Sequence, residues 1–271
     1  MRSARIKRVL MCRPDHFSVE YVINPWMIPG SVDRKKAMNE WETLVETYRS
    51  IGITVEVIDQ AEGVPDMVFA ADQGIVKGKE VLVSNFTYPE RQKERPYYLE
   101  WFTSNGFTPK YLPEGHYFEG TGECLLWRNL VFVGTGFRTG KQSALEIGEH
   151  LDMDAIPLEL TDERFYHIDT CLFPLNDEVV FYYPEAFSRR SQRTLQSIVP
   201  RLYPFSTDEA VHFCANSVVS GEHVMITASK GSHTFRSKLM MLGYTVHDLD
   251  LTEFLKAGGS AHCLTNVLEW E

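Results

Sequence analysis

Long apolar runs are missing from this 271-residue chain, as is any C-x-x-C pair, and basic residues are outnumbered 27 to 37 by acidic ones. Each absence excludes something. No stretch approaches the ~20 apolar residues of a membrane span. The basic start "MRSARIKRVLMCRPDHF" lacks the apolar run of a signal peptide, so the expected location is the cytosol. Five cysteines (Cys12, Cys124, Cys171, Cys214, Cys263) are an odd, scattered set that indicates neither a disulfide framework nor a zinc knuckle. Free thiols and no metal are expected. The formal charge of -10 argues against nucleic acid or an anionic membrane as partner and suits a small cationic substrate. The "GTG" before Arg138 belongs to neither GxxxxGK[ST] nor GxGxxG, so a phosphate-binding loop is not indicated.

What is present is ample core material, with 44% hydrophobic and 12% aromatic residues, arranged in a repeat. "VKGKEV" reads as a hairpin, followed by a helical stretch from Glu90 to Asn105 and a strand at "TPKYL". The unit recurs as "CLLWRNLVFV", "KQSALEIGEHL", "AIPLEL", then as "HIDTCLFPLNDEVVFYY", a helix from Ser188 to Ile198, "RLYPF". A fourth copy is "NSVVSGEHVMIT", "HTFRSKLMMLG", "YTVHDLDL". The remaining pieces are a helix with the inner stripe Ala37, Trp41, Leu44, Val45 and Tyr48, a strand "ITVEVI", and two unpaired strands, "IKRVLM" and "HCLTNV". Turns recur about every 45 to 50 residues, the length of a whole supersecondary repeat. If the two end strands pair, they complete a fifth unit. The expected architecture is one α/β domain over 1–271 with five ββαβ blades.

In a radial array, the segments leading into equivalent strands converge on the axis. Those segments are "FAADQG" with Asp72, "FEGTGEC" with Glu119 and Glu123, "FYHIDTC" with His167 and Asp169, "HFCANS" with Cys214 and Asn216, and "GGSAHC" with Cys263. A cysteine, a histidine and several carboxylates facing one cavity suit nucleophilic attack on a cationic carbon. Cys263 as thiolate is the candidate nucleophile, its pKa lowered by a neighbouring cation such as the substrate. His167 is the candidate acid and base, with Glu119 orienting its imidazole. Asp72 and Asp169 are suited to hold a planar guanidinium through paired, charge-assisted hydrogen bonds. The glycines before Cys263 allow close approach of backbone to ligand. Plainer readings stand beside these. A lone cysteine is more often a small core residue, His167 alone fits a core histidine, and aspartates often cap turns. Cys12, Cys124, Cys171 and Cys214 are read as packing residues, and His262 as core or surface.

With "PDMVFAADQG", "FEGTGEC", "HIDTC" and "GGSAHCLT" in that order, the sequence resembles the guanidine-modifying (amidinotransferase) superfamily, whose fold is the five-bladed α/β propeller called the pentein fold. Through "MCRPDHFSVEYVINPWM", "ERFYHIDTC" and "LTEFLKAGG" it is most similar to the arginine dihydrolase domain of cyanobacteria and its single-domain relatives. The resemblance implies a covalent amidino-cysteine on Cys263, with His167, Glu119 and Asp169 as catalytic or guanidinium-holding partners and no cofactor. By position, Asn24, Arg91 and Arg138 match residues that contact the amino-acid end of the substrate, although Arg91 lies in "ERQKER", whose default is a solvated helix face. Two positions depart from the dihydrolases: Asp72 stands where they carry asparagine, and Glu123 where aspartate is usual. An aspartate only accepts hydrogen bonds, which favours a cationic guanidinium over neutral citrulline. The implied activity is hydrolysis of a guanidine C–N bond of arginine or a close derivative. A methylarginine hydrolase, an amidinotransferase and a non-catalytic, ribosome-binding pentein are the alternatives. The set of Cys263, His167 and Glu119 argues against the last.

Overall fold

The computed structural model describes residues 3–271. Fifteen strands form five separate three-stranded sheets. In chain order they begin with β1 (Ile6–Arg13) and β2 (Thr54–Asp59). The next two sheets are β3 (Gly74–Lys77), β4 (Glu80–Val83), β5 (Thr108–Lys110), and β6 (Cys124–Trp127), β7 (Leu130–Thr135), β8 (Asp154–Glu159). The following two are β9 (Leu172–Pro174), β10 (Val179–Tyr182), β11 (Arg201–Pro204), and β12 (Val218–Ser220), β13 (His223–Thr227), β14 (Thr245–Leu249). The last strand, β15 (Asn266–Trp270), pairs antiparallel with β1 and closes the first sheet as β15-β1-β2.

Every middle strand is antiparallel to one neighbour and parallel to the other. A hairpin makes the antiparallel pair in four blades and the two end strands make it in the first, whereas a parallel neighbour needs a crossover, which a helix supplies in each blade. Those helices are Arg34–Ser50, Arg95–Ser104, Lys141–Leu151, Arg189–Ile198 and His233–Met241. Middle strands are buried on both faces, as in β10, where all four residues are apolar or aromatic and buried. The first helix starts at Asp33, whose side chain accepts from the Lys36 amide at 3.0 Å, and buries the expected stripe of Ala37, Trp41, Leu44, Val45 and Tyr48. Each large member of that stripe contributes about 1.5–3 kcal/mol by leaving water.

Two expectations need correction. The helix read from Glu90 to Asn105 is two pieces, Pro89–Gln92 and Arg95–Ser104. Pro96, which has no N–H to donate, falls in the first turn of the second piece, and Glu94 between them is pulled fully inside by Arg91. The strand read as "HCLTNV" begins only at Asn266, so Cys263 sits in the turn before it. That turn has work to do: Leu264 donates to the Ser260 carbonyl and Thr265 to that of His262.

Comparable short turns precede the other inner strands: Ala70–Gln73 before β3, Gly120–Glu123 before β6 and Ile168–Thr170 before β9. They aim side chains toward the middle of the molecule. No helix among the described residues is long and apolar enough to cross a membrane.

Candidate active site

The five lead-in turns bring Asp72, Glu119, Glu123, His167, Asp169, Asn216 and Cys263 into one buried cluster, none more than 3% exposed. Cys263 Sγ donates to Asp169 Oδ2 at 3.1 Å. The Asn216 amide Nδ2 donates to the same Oδ2 at 2.8 Å and to Cys263 Sγ at 3.1 Å. Asn216 Oδ1 in turn accepts from the amides of Ser260 (2.9 Å) and Cys263 (3.2 Å). One asparagine therefore fixes both the backbone and the sulfur of the turn. On the other side of the cluster His167 Nε2 bonds Glu119 Oε2 at 2.8 Å, and Arg138 Nη1 reaches that oxygen at 3.0 Å. His167 Nδ1 lies 3.7 Å from Asp72 Oδ1.

The electrostatics follow from this packing. Burial pushes the His167 imidazolium down, but Asp72, Glu119 and Glu123 outweigh it and raise the pKa to about 9. Burial would likewise raise Glu119, yet Arg138 and His167 hold it well below the usual carboxylate range. Burial drives Glu123 well up, with Glu119 adding to it against His167, and neither of its oxygens has a partner. Glu123 lies 3.8 Å from His167 Nε2, in a setting that favours its neutral form more than that of the other carboxyls. Burial, Asp169 and Asp72 push the Cys263 thiol well above its ordinary value. These influences favour the thiol, and the thiolate expected from the sequence depends on a neighbouring cation such as the substrate. Burial also raises Asp169.

Arg91 is not on a solvated face. It is 4% exposed, with Nη1 on Asp72 Oδ2 at 2.6 Å and Nε and Nη2 on the two Glu94 oxygens at 3.0 Å each. Arg138 is clamped as well, donating to the Ile23 carbonyl at 2.8 Å and lying over the rings of Tyr88 and Tyr166. The two arginines expected at the amino-acid end of a substrate thus pair with Asp72, expected at the guanidine, and with Glu119, expected to orient the imidazole. Asn24 spends its amide on the Ala257 carbonyl (3.1 Å) and accepts from the Trp26 amide (3.0 Å). Asn24, Arg91 and Arg138 do share a pocket, with Asp66, Phe69 and Tyr166, but its volume is only about 10 Å³. Ile23 and Met27, from the same loop as Asn24, line it too.

The glycines before Cys263 do not face open space. Gly258 adopts φ +87°, and a Cβ there would lie within 3.0 Å of Asn24 and Tyr166; one at Gly259 would strike the Phe69 ring at 2.5 Å. Room beside the reacting groups comes from Gly122 instead. A Cβ at that position would sit 2.5 Å from Asp72 Oδ1 and 2.6 Å from His167 Nδ1. Five polar atoms in the cluster, Asp72 Oδ1, Asp169 Oδ1, His167 Nδ1 and both carboxyl oxygens of Glu123, have no hydrogen-bond partner.

Sequence reasoning placed Asn216 at a lead-in without giving it a role. It gave none to Asp66 or Glu94 and treated His262 as core or surface. His262 lies 3.9 Å from Asp169 Oδ2 and against the Thr121 carbonyl at 3.1 Å. The fourth copy of the repeat was the available signal for Asn216; nothing in the local pattern marks the others. Cys12, Cys124, Cys171 and Cys214 are buried and free. Among the described residues no group of three or more His, Cys, Asp or Glu is arranged to hold a metal ion.

Residues 15–269 match the family of eukaryotic N,N dimethylarginine dimethylhydrolases. The bifunctional arginine dihydrolase/ornithine cyclodeaminase ArgZ of Synechocystis sp. is 42% identical over 265 residues, 95% of this chain; the chain spans 37% of that relative's length. The N(G),N(G)-dimethylarginine dimethylaminohydrolase of Mycobacterium tuberculosis is 37% identical over 97% of this chain and 86% of its own. Among solved structures, the N-terminal domain of ArgZ, covalently bound to a reaction intermediate, superimposes with a TM-score of 0.93 at 40% identity, covering 97% of both chains. The five blades are therefore those of a pentein, and the chain belongs to the N,N dimethylarginine dimethylhydrolase family.

Proposed function

We propose that the protein hydrolyses the guanidine C–N bond of L-arginine through an amidino-cysteine on Cys263 and releases citrulline and one ammonia. The observation that carries this reading is the set of unpartnered acceptors, Asp72 Oδ1 and Asp169 Oδ1, beside the Cys263 sulfur. Buried acceptors without donors are costly, and a guanidinium supplies N–H groups in a fixed planar fork. Its positive charge also reverses the field that keeps Cys263 protonated. The thiol proton leaves through Asp169, whose Oδ2 already receives it.

The thiolate then attacks the guanidinium carbon and gives a neutral tetrahedral adduct. His167, held protonated by Asp72 and Glu119, gives its proton to the departing nitrogen, and ammonia leaves a cationic thiouronium on the sulfur. The neutral imidazole takes a proton from water, hydroxide adds to the same carbon, and collapse expels the thiolate. Summed over the cycle, guanidinium and water become citrulline and ammonium. Asn216 keeps the sulfur in place throughout. Support from relatives is of two kinds: ArgZ is an arginine dihydrolase, and the mycobacterial relative is a dimethylarginine dimethylaminohydrolase.

Asp72 decides where the reaction stops. It accepts and cannot donate, so it matches a guanidinium better than the neutral urea of citrulline. The test is incubation of the purified protein with L-arginine while ammonia, citrulline and ornithine are quantified against time. Citrulline with one equivalent of ammonia supports the reading, and ornithine with two equivalents refutes the role given to Asp72. If arginine is untouched and methylarginines yield methylamines, the substrate is the methylated amino acid.

A further inference from the structure

The cluster is approached from two sides. One is the small polar pocket of Asn24, Arg91 and Arg138. The other is a separate cavity of about 120 Å³ that shares no lining residue with it. This second cavity is enclosed by the inner strands of all five blades, through Ile75, Leu125, Phe173, Val218 and Val267. It runs along those strands, away from the lead-in turns, to a rim that includes Leu126 and Trp270, which are 39% and 43% exposed. Its inner end is Thr121, Asp169 and His262.

The walls and the inner end differ in chemistry. The walls are mostly apolar, with Ser217 and Thr265 among them, and come mainly from the inner strands, so the cavity exists before anything binds. At the inner end His262 Nε2 donates to the Thr121 carbonyl at 3.1 Å, which leaves Nδ1 as the remaining polar atom of the ring. Asp169 lies 3.9 Å from that ring and accepts from Cys263 Sγ. A largely apolar, preformed cavity with a few convergent polar groups is the usual form of a small-molecule site. Engineered apolar cavities of ~150 Å³ hold a benzene ring. Asp169 is the one carboxyl group in the lining, and its partnerless Oδ1 matches a donor head such as an ammonium.

We propose that this axial cavity is a second ligand site, for a small aromatic or branched aliphatic amine whose ring or chain fills the apolar walls and whose ammonium faces Asp169 and His262. Because Asp169 accepts the Cys263 thiol and also faces the guanidinium, an occupant slows turnover and weakens arginine binding together. This effect on turnover rests on the function proposed above; binding itself does not.

Benzylamine is the probe. Binding is read first, without any reaction, from the fluorescence of Trp270 at the rim, with Trp270→Phe as the control that removes the signal. Saturable quenching that is lost in Trp270→Phe is expected; no saturable change overturns the proposal whatever the protein hydrolyses. Second, Leu126→Trp narrows the rim from an exposed position, where the fold tolerates it, and is expected to weaken benzylamine by roughly tenfold, the loss of an aromatic packing contact. Third, with arginine as substrate, benzylamine is expected to lower kcat and to raise KM as well, a mixed pattern. A competitive pattern would put the amine in the polar pocket and sink the assignment. So would a fall in turnover of Leu126→Trp with no amine present, since the cavity would then carry water or ammonia for the reaction.

Discussion

Replacing Asp72 by asparagine keeps the shape of the side chain and removes its charge. Three interactions change, the first being the negative charge that faces His167 Nδ1 at 3.7 Å and helps keep it protonated. Oδ2 holds Arg91 Nη1 at 2.6 Å, and the partnerless Oδ1 is the atom assigned to the substrate. Breaking a buried pair outright costs about 3–5 kcal/mol because a charge is left uncompensated. Here Arg91 keeps both oxygens of Glu94, so the fold should lose only about 1–2 kcal/mol and remain intact. For the substrate, a charge-assisted hydrogen bond of about 1.5–3 kcal/mol becomes a neutral one of about 0.5–1.5. The difference, about 1–1.5 kcal/mol, is a loss of roughly 5- to 15-fold in guanidinium binding. An amide can also donate, so hydrolysis of citrulline should rise relative to that of arginine. Steady-state ammonia release from each substrate, with ornithine measured chromatographically, reads both effects. Unchanged arginine kinetics, or an unaltered ratio of citrulline to arginine turnover, would refute the assignment of Oδ1.

Three further outcomes are expected. Cys263→Ala should abolish turnover and leave the circular dichroism spectrum unchanged, because Asn216 still holds the backbone of the turn; arginine-derived mass on the intact wild-type protein but not on the variant locates the adduct. Gly122→Ala should cost at least ~100-fold in kcat, since its methyl intrudes within 2.6 Å of Asp72 Oδ1 and His167 Nδ1 and displaces the reacting groups; wild-type kcat would contradict the packing. His167 has a folded pKa of about 9 against an ordinary 6.5, so its contribution to stability is complete below about pH 6.5 and is lost as pH rises through 9. That loss is about 3 kcal/mol and should appear in urea midpoints at pH 6.5 and 9.5 for the wild type but not for His167→Gln.

Composition and periodicity determined a good deal of this protein. The recurrence of hairpin, helix and strand is a local pattern, set by alternation in the strands, 3.6-residue spacing in the helices and turn residues between them, and it predicts five blades as they are found. Because a radial repeat carries equivalent segments to one axis, it also predicts which side chains meet, and Asp72, His167, Asp169 and Cys263 do so. What the pattern could not contain was pairing between segments remote in sequence. The sequence left Arg91 between a solvated face in "ERQKER" and a substrate contact; the fold buries it, because Asp72 and Glu94 together offset its desolvation. Asn216 had a position but no partner until the fold placed it beside Cys263, Asp169 and Ser260. The protonation of the cluster likewise depends on burial and on distances of a few ångströms, which raise Cys263 and His167 together and hold Glu119 down. Residue types and their order come from the chain; desolvation and the choice of partner exist only once the five blades have closed around them.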